Sequence, residues 1–374
     1  MSGERAPERG PYGRREESRQ DDRERGPGRG RSPWPYHDET YYNRPALKAG
    51  HWRWLIGGYY FVGGVAGAAQ LIAAVADVAG GPEDRAVVRA GRYLALAGVA
   101  ASPAFLIADL HTPARFYNML RIVRPTSPMS LGSWTLTIFG ATTGLAALGE
   151  ALDQFAGLPA GRALARWAGA PAAAAGAVMA TYTGVLTSAT SVPLWAAAPR
   201  ALPALFGASA ATSACAALHL AAEATGAAPE SRRRLEGLAL TLGVAQLALL
   251  AGLEWVWRRR GVGGPLAGGR LGGVYRGGAL GLGTLAPLAV HVAQRATGRR
   301  SRGATLVAAL AALAGVYVEK TALVFAGHES ARRPKDYFRF AQLDGAADGA
   351  LPPGRAREGI SQGEEIERGR RAGG

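Results

Sequence analysis

Apolar runs of about 18–25 residues, separated by short arginine-bearing breaks, fill the chain between Trp54 and Phe325. A run of that length crosses the hydrocarbon core of a bilayer as a helix, since in lipid every backbone N–H and C=O has to be satisfied within the segment. The runs lie near 54–79, 88–110, 130–151, 168–192, 200–223, 235–257, 277–294 and 303–326. They predict an all-α polytopic membrane protein with about eight transmembrane helices. A soluble Ala-rich bundle would instead show amphipathic periodicity with charges on every second turn, and these runs lack it. Gly63 and Gly67, and Gly140 and Gly144, have the four-residue spacing that lets membrane helices approach closely.

An even number of spans puts both ends of the domain on one face, side A, together with the loops after the second, fourth and sixth spans. The loops after the odd-numbered spans lie on side B. Sixteen basic residues fall on side A and twelve on side B, a bias too slight to set the orientation. The formal charge is +15, with 43 Lys and Arg against 28 Asp and Glu. The arginines sit at span ends, where they anchor helices to headgroups, and nucleic acid is not an expected partner. The lone cysteine, Cys215, makes no intrachain disulfide and cannot by itself hold an iron–sulfur cluster. Residues 1–40 contain nine Arg and nine Asp or Glu with almost no apolar side chain, so they are expected to be a disordered polar tail. No apolar stretch follows Arg14-Arg15 at signal-peptide distance, so a cleaved signal is not expected. The Gly-, Ala-, Arg- and Glu-rich residues 341–374 are expected to be a second tail, leaving 41–340 as the membrane domain.

The segment between the second and third runs, PAFLIADLHTPARFYNMLRIVRPTSPMSLGSW, is not ordinary loop. A carboxylate, Asp109, ends an apolar helix. His111, Arg115, Arg121 and Arg124 follow, interleaved with Phe116, Tyr117 and Met119 and stiffened by Pro113, Pro125 and Pro128. A carboxylate at a membrane helix end is costly and marks a functional site by default. Four elements of this segment resemble the NrfD/PsrC family, the membrane subunits of polysulfide-reductase-type and related molybdenum-enzyme complexes. They are Asp109-Leu110, Pro113-Ala114-Arg115-Phe116, Asn118-Met119-Leu120-Arg121, and Ser127-Pro128-Met129-Ser130 followed by Gly132-Ser133-Trp134. Tyr41 to Lys48, His51-Trp52-Arg53-Trp54, Tyr182 to Leu186 and Phe325-Ala326-Gly327-His328 extend the resemblance in order over about 41–340. It implies two four-helix bundles in the cell's inner (plasma) membrane.

Side A gathers His51, Asp109, His111, Glu254, Glu319, Lys320 and His328, with Trp52, Tyr59, Tyr60 and Tyr117 at the same level. Acids, imidazoles and aromatic rings at one membrane face are what a quinone head needs: flat walls, hydrogen-bond donors for two carbonyls, and an acid/base group that reaches water. Asp109 and His111 are read as the proton-handling pair. His51, Tyr59, Tyr60, Arg115, Tyr117, Glu254 and Glu319 are read as the quinone-binding set, and no metal site is expected. The alternative for Asp109 is a salt bridge to Arg115 or Arg121 that pins the loop. Glu319 and Lys320 point about 100° apart on a helix, so they are not expected to pair directly, and one of them is expected to face the bundle interior and find another partner. On side B, Asp77, Glu150, Asp153, Glu223, His219 and His291 are read mainly as interfacial anchors. Two histidines there, His219 and His291, could alternatively ligate a b-type haem.

These residues and the resemblance together imply a quinone- or quinol-reactive membrane anchor of a multi-subunit oxidoreductase. Its cofactor would be menaquinone or ubiquinone, with no iron–sulfur cluster or molybdopterin in this chain. By resemblance, electrons pass to a ferredoxin-like iron–sulfur subunit and a molybdopterin or multihaem catalytic subunit, which carries the terminal chemistry. The competing class is an ion or proton transporter without redox role.

Overall fold

The computed structural model describes residues 47–48 and 50–347. The first expected tail lies outside the described residues, as does the motif from Tyr41 to Ala46. The described chain is helical, with no strand among the described residues. Eight long helical segments follow one another: α1 Trp54–Ala79, α2 Arg85–Asp109, α3 Pro128–Ala156, α4 Pro159–Ser188, α5 Ala201–Ala224, α6 Pro229–Arg260, α7, and α8 Arg302–Arg332. α7 is continuous but composite: Gly269–Val274, a π-helix at Tyr275–Leu285, then Ala286–Thr297. A last helix, α9, spans Pro334–Ala347, so residue 341 falls inside a helix.

Six of these, α1, α2 with the Pro82–Asp84 turn before it, α3, α5, α6 and α8, are long and apolar enough to cross a membrane by length and composition. α4 and α7 complete the expected eight as helices. They are diluted by Ala, Gly and arginines such as Arg162, Arg166, Arg270 and Arg276, yet at 30 residues α4 is ~45 Å long. The chain is an all-α polytopic membrane protein.

The fourth segment begins earlier than 168 because a tight turn ends α3 first. Gly157 caps α3 at φ +63°, a left-handed conformation that favours glycine, and Pro159 then opens α4. The short connection holds α3 and α4 together, and α1, α2, α3 and α4 close into one bundle. α5, α6, α7 and α8 form the second, and the two meet where α1 and α4 face α5 and α8.

Small residues set these distances. A Cβ on Gly67 would run into the Gly176 carbonyl of α4, and one on Gly149 would lie 2.5 Å from the Ala165 nitrogen. Gly67 therefore serves close packing, whereas Gly144 faces open space. In the second bundle the π-helix approaches α8 through Gly278 against Val318 and Gly283 against Gly315.

The link between bundles is not a free loop. Pro193–Ala196 plugs side A of the second bundle, with Leu194 and Trp195 buried. The Trp195 indole donates to the Leu323 carbonyl at 2.9 Å, the Trp257 indole donates to the Leu194 carbonyl at 2.8 Å, and the Leu194 amide donates to Ser330 Oγ at 3.2 Å. These bonds satisfy a bent, buried backbone that would otherwise be costly.

Candidate functional site

The side-A cluster is built at the start of α1 and the end of α2. Asp109 is the last residue of α2 and its side chain is buried. Its partner is neither Arg115 nor Arg121 but Arg53, the residue that caps α1. Arg53 Nε donates to Asp109 Oδ1 at 3.2 Å, and its Nη2 donates to the Ala108 carbonyl at 2.9 Å. A cation at the C-terminus of α2 also complements the partial negative charge of that helix end. The sequence reading missed Arg53 because it lies 56 residues from Asp109.

His111, two residues beyond Asp109, sits edge-on to His51, the ring centroids 4.4 Å apart. Both imidazoles are exposed to water. Behind them stands an aromatic wall. Trp52 stacks on Trp195 at 5.4 Å and meets Tyr60 edge-on at 6.3 Å. Tyr60 contacts Tyr59 and Phe206, and its hydroxyl lies 3.1 Å from Thr187 Oγ1. His328 adds a third imidazole against Trp195 and Phe325, and its Nε2 is buried without a partner. The family-like Gly327 has a packing role here, since a Cβ there would overlap the Trp195 ring.

The motif at the start of α3 is also structural. Ser127 caps the helix by accepting from the Ser130 amide, and Pro128 takes the first helical position. The Tyr182 hydroxyl of α4 donates to the Pro128 carbonyl, and Gly132 leaves room for that ring. The two stretches Ser127–Trp134 and Tyr182–Leu186 are therefore two halves of one contact.

The structure thus brings together His51, Asp109, His111, Tyr59 and Tyr60. Arg115 and Tyr117 ride on an exposed 3₁₀ segment, Pro113–Leu120, and no hydrogen bond or ion pair joins Arg115 to the cluster among the described residues. Glu254 lies elsewhere, paired with Arg258 at 3.0 Å beside Arg276 and Arg339. Glu319 is fully buried in the second bundle. Contrary to expectation it pairs with its neighbour: Lys320 Nζ is 3.1 Å from Glu319 Oε1. The backbone vectors diverge, but the long lysine side chain curls back. Lys320 also donates to Ser209 Oγ at 2.6 Å and sits over the Phe206 ring, while Gln246 Nε2 donates to Glu319 Oε2 at 3.0 Å. Phe206 contacts both Tyr60 and Lys320, so it links Glu319 to the aromatic wall indirectly.

Side B corrects another expectation. Glu150 is not an interfacial anchor; it is fully buried and meets Arg92, also buried, at 2.5 Å. Arg92 reaches Asp77 at 3.0 Å, and Arg85 touches Asp77, Glu150 and Asp153. Arg85, Arg89 and Arg92 share a helix face by their four- and three-residue spacing, and Glu150 and Asp153 by theirs, a signal available in the sequence. Gln70, also fully buried, points its amide at the Gly169 carbonyl. His219 and His291 line a cavity of about 20 Å³, room for about one water rather than a macrocycle.

Paired carboxylate and guanidinium, imidazoles facing water and stacked rings can bind a flat polar head and move protons. No curated protein sequence matches the chain significantly. The family description "Polysulphide reductase, NrfD" matches residues 45–330, about three-quarters of the chain. The chain belongs to the NrfD family, membrane subunits of polysulfide-reductase-type oxidoreductases.

Proposed function

We propose that this chain exchanges electrons between the membrane quinone pool, menaquinone or ubiquinone, and an iron–sulfur partner subunit bound on side A. The observation that carries this reading is the buried Asp109–Arg53 pair beside the His51–His111 contact and the Trp52–Trp195–Tyr60 wall. The residues fit a quinone head: the stacked indoles offer a flat wall, and the unpartnered His328 Nε2 is a polar atom without its hydrogen bond in the structure. Oxidation of a quinol releases two electrons and two protons. Asp109 and His111 take up the protons, and His111 and His51, being exposed, pass them to water. Arg53 holds Asp109 in place. His328 and Tyr60 position the head.

The electrons leave through another protein, a ferredoxin-like subunit with four-iron clusters that serves a molybdopterin or multihaem catalytic subunit. The landing surface for it is the segment 113–131, where Phe116, Tyr117, Ile122, Val123 and Met129 are exposed beside Arg121 and Arg124. An exposed apolar patch rimmed by charge marks an interaction site. The complex resides in the plasma membrane.

The test is purification with its partners and a quinol-analogue oxidation assay. Turnover lost in Asp109→Asn, with the complex intact, supports the reading; wild-type turnover in that variant rejects it. The buried Glu319–Lys320 pair favours a second reading, proton transport without redox, which requires no iron–sulfur partner at all.

A further inference from the structure

A second polar site opens on side B, between the start of α6, the end of α7 and the start of α8. Arg233, Arg295 and Arg300 surround a pocket of about 270 Å³, with His291 and Leu240 in its wall. The one carboxylate in it, Glu236, is committed to Arg300 at 3.0 Å. Arg233 and Arg295 have no carboxylate partner among the described residues. That sets them apart from Arg162, Arg166, Arg232 and Arg302 on the same face, each of which touches an Asp or Glu. Two unbalanced guanidiniums thus converge at the level where the apolar part of α6 begins.

The surface directly below the pocket is apolar and faces outward. Leu240 lines it, and Val244, one turn further along α6, is exposed, as is Val292 on α7. A site with cations at headgroup level and aliphatic side chains beneath matches an amphiphile with an anionic head. A planar guanidinium suits the oxygens of a phosphate in particular, through paired N–H donors.

We propose that this pocket binds the phosphodiester head of an anionic phospholipid, with its acyl chains running along Leu240, Val244 and Val292. The site is separate from the side-A cluster, and its occupancy does not depend on the redox reading. Pairing of Glu236 with Arg300 shapes the pocket, and Arg233 and Arg295 supply the charge that selects an anionic head over a zwitterionic one.

The test uses the full-length chain in detergent and a fluorescent phosphatidylglycerol, competed by unlabelled phosphatidylglycerol, phosphatidylcholine or inorganic phosphate. Phosphatidylglycerol should displace the probe and the other two should not. Arg233→Gln/Arg295→Gln should weaken binding about thirtyfold, while Arg270→Gln, which removes a charge on side A, should leave it unchanged. Both altered arginines are exposed and have no carboxylate partner among the described residues, so the variant should keep the wild-type helical circular dichroism. Equal binding in the double variant, equal loss in Arg270→Gln, or equal competition by phosphatidylcholine would overturn the proposal. Displacement by inorganic phosphate as effective as by lipid would make this a free-anion site and overturn it too.

Discussion

Arg53 and Asp109 tie the first turn of α1 to the last turn of α2: the guanidinium, itself largely exposed, holds a carboxylate that is almost fully buried. The asymmetry gives the pair its character. A surface ion pair contributes little, but a buried acceptor that loses its donor is costly. Arg53→Gln should destabilise the chain by roughly 1–3 kcal/mol and slow quinol turnover, both measurable on the purified complex. Asp109→Asn should insert and assemble yet lose turnover. If Asp109 served only to anchor the loop, assembly would fail first.

On the opposite face, Arg92 and Glu150 are both buried, and deleting Glu150 leaves Arg92 only Asp77 as a carboxylate partner. Glu150→Ala should cost about 1–3 kcal/mol in thermal or denaturant unfolding. The double variant Arg92→Met/Glu150→Leu should recover much of that loss, because it replaces both buried charges with apolar side chains while Asp77 keeps Arg85 and Arg166. A double variant no more stable than Glu150→Ala would show that the network, not the pair, bears the energy.

Charge reversal of Arg121 and Arg124 together should reduce recovery of an iron–sulfur partner in pull-downs without altering membrane insertion. Both side chains are exposed, so folding does not depend on them. Unchanged recovery of the complex would remove this loop as the docking surface.

Asp336, in α9 outside the membrane spans, is buried, and burial pushes its carboxyl up to about 6 although Ser330 Oγ donates to it. The folded state therefore binds this proton more tightly than the unfolded chain, whose carboxyl titrates near 4. The linked stability is fully present below about pH 4 and is lost as pH rises through 6. Protection of α9 in hydrogen exchange should accordingly fall between pH 4 and 7, and Asp336→Asn should flatten that dependence.

The sequence by itself determined the architecture. Runs of bilayer length leave helices as the available way to satisfy the backbone in lipid, and the Asp109-to-Trp134 segment carried the family. It also put Asp109 and the two tyrosines at one level, because depth along a helix follows directly from residue number, with His51 and His111 just beyond the same helix ends. The tertiary structure alone decided which side chains meet. Arg53 finds Asp109 across 56 residues and Arg92 finds Glu150 across 58. Such pairings depend on the rotation of each helix about its axis and on which helices become neighbours, and local spacing records neither. Lys320 and Glu319 illustrate the same limit at the shortest range: the helix geometry separates their Cβ directions, and only the surrounding bundle, with Ser209, Phe206 and Gln246 in place, turns the two long side chains back toward each other.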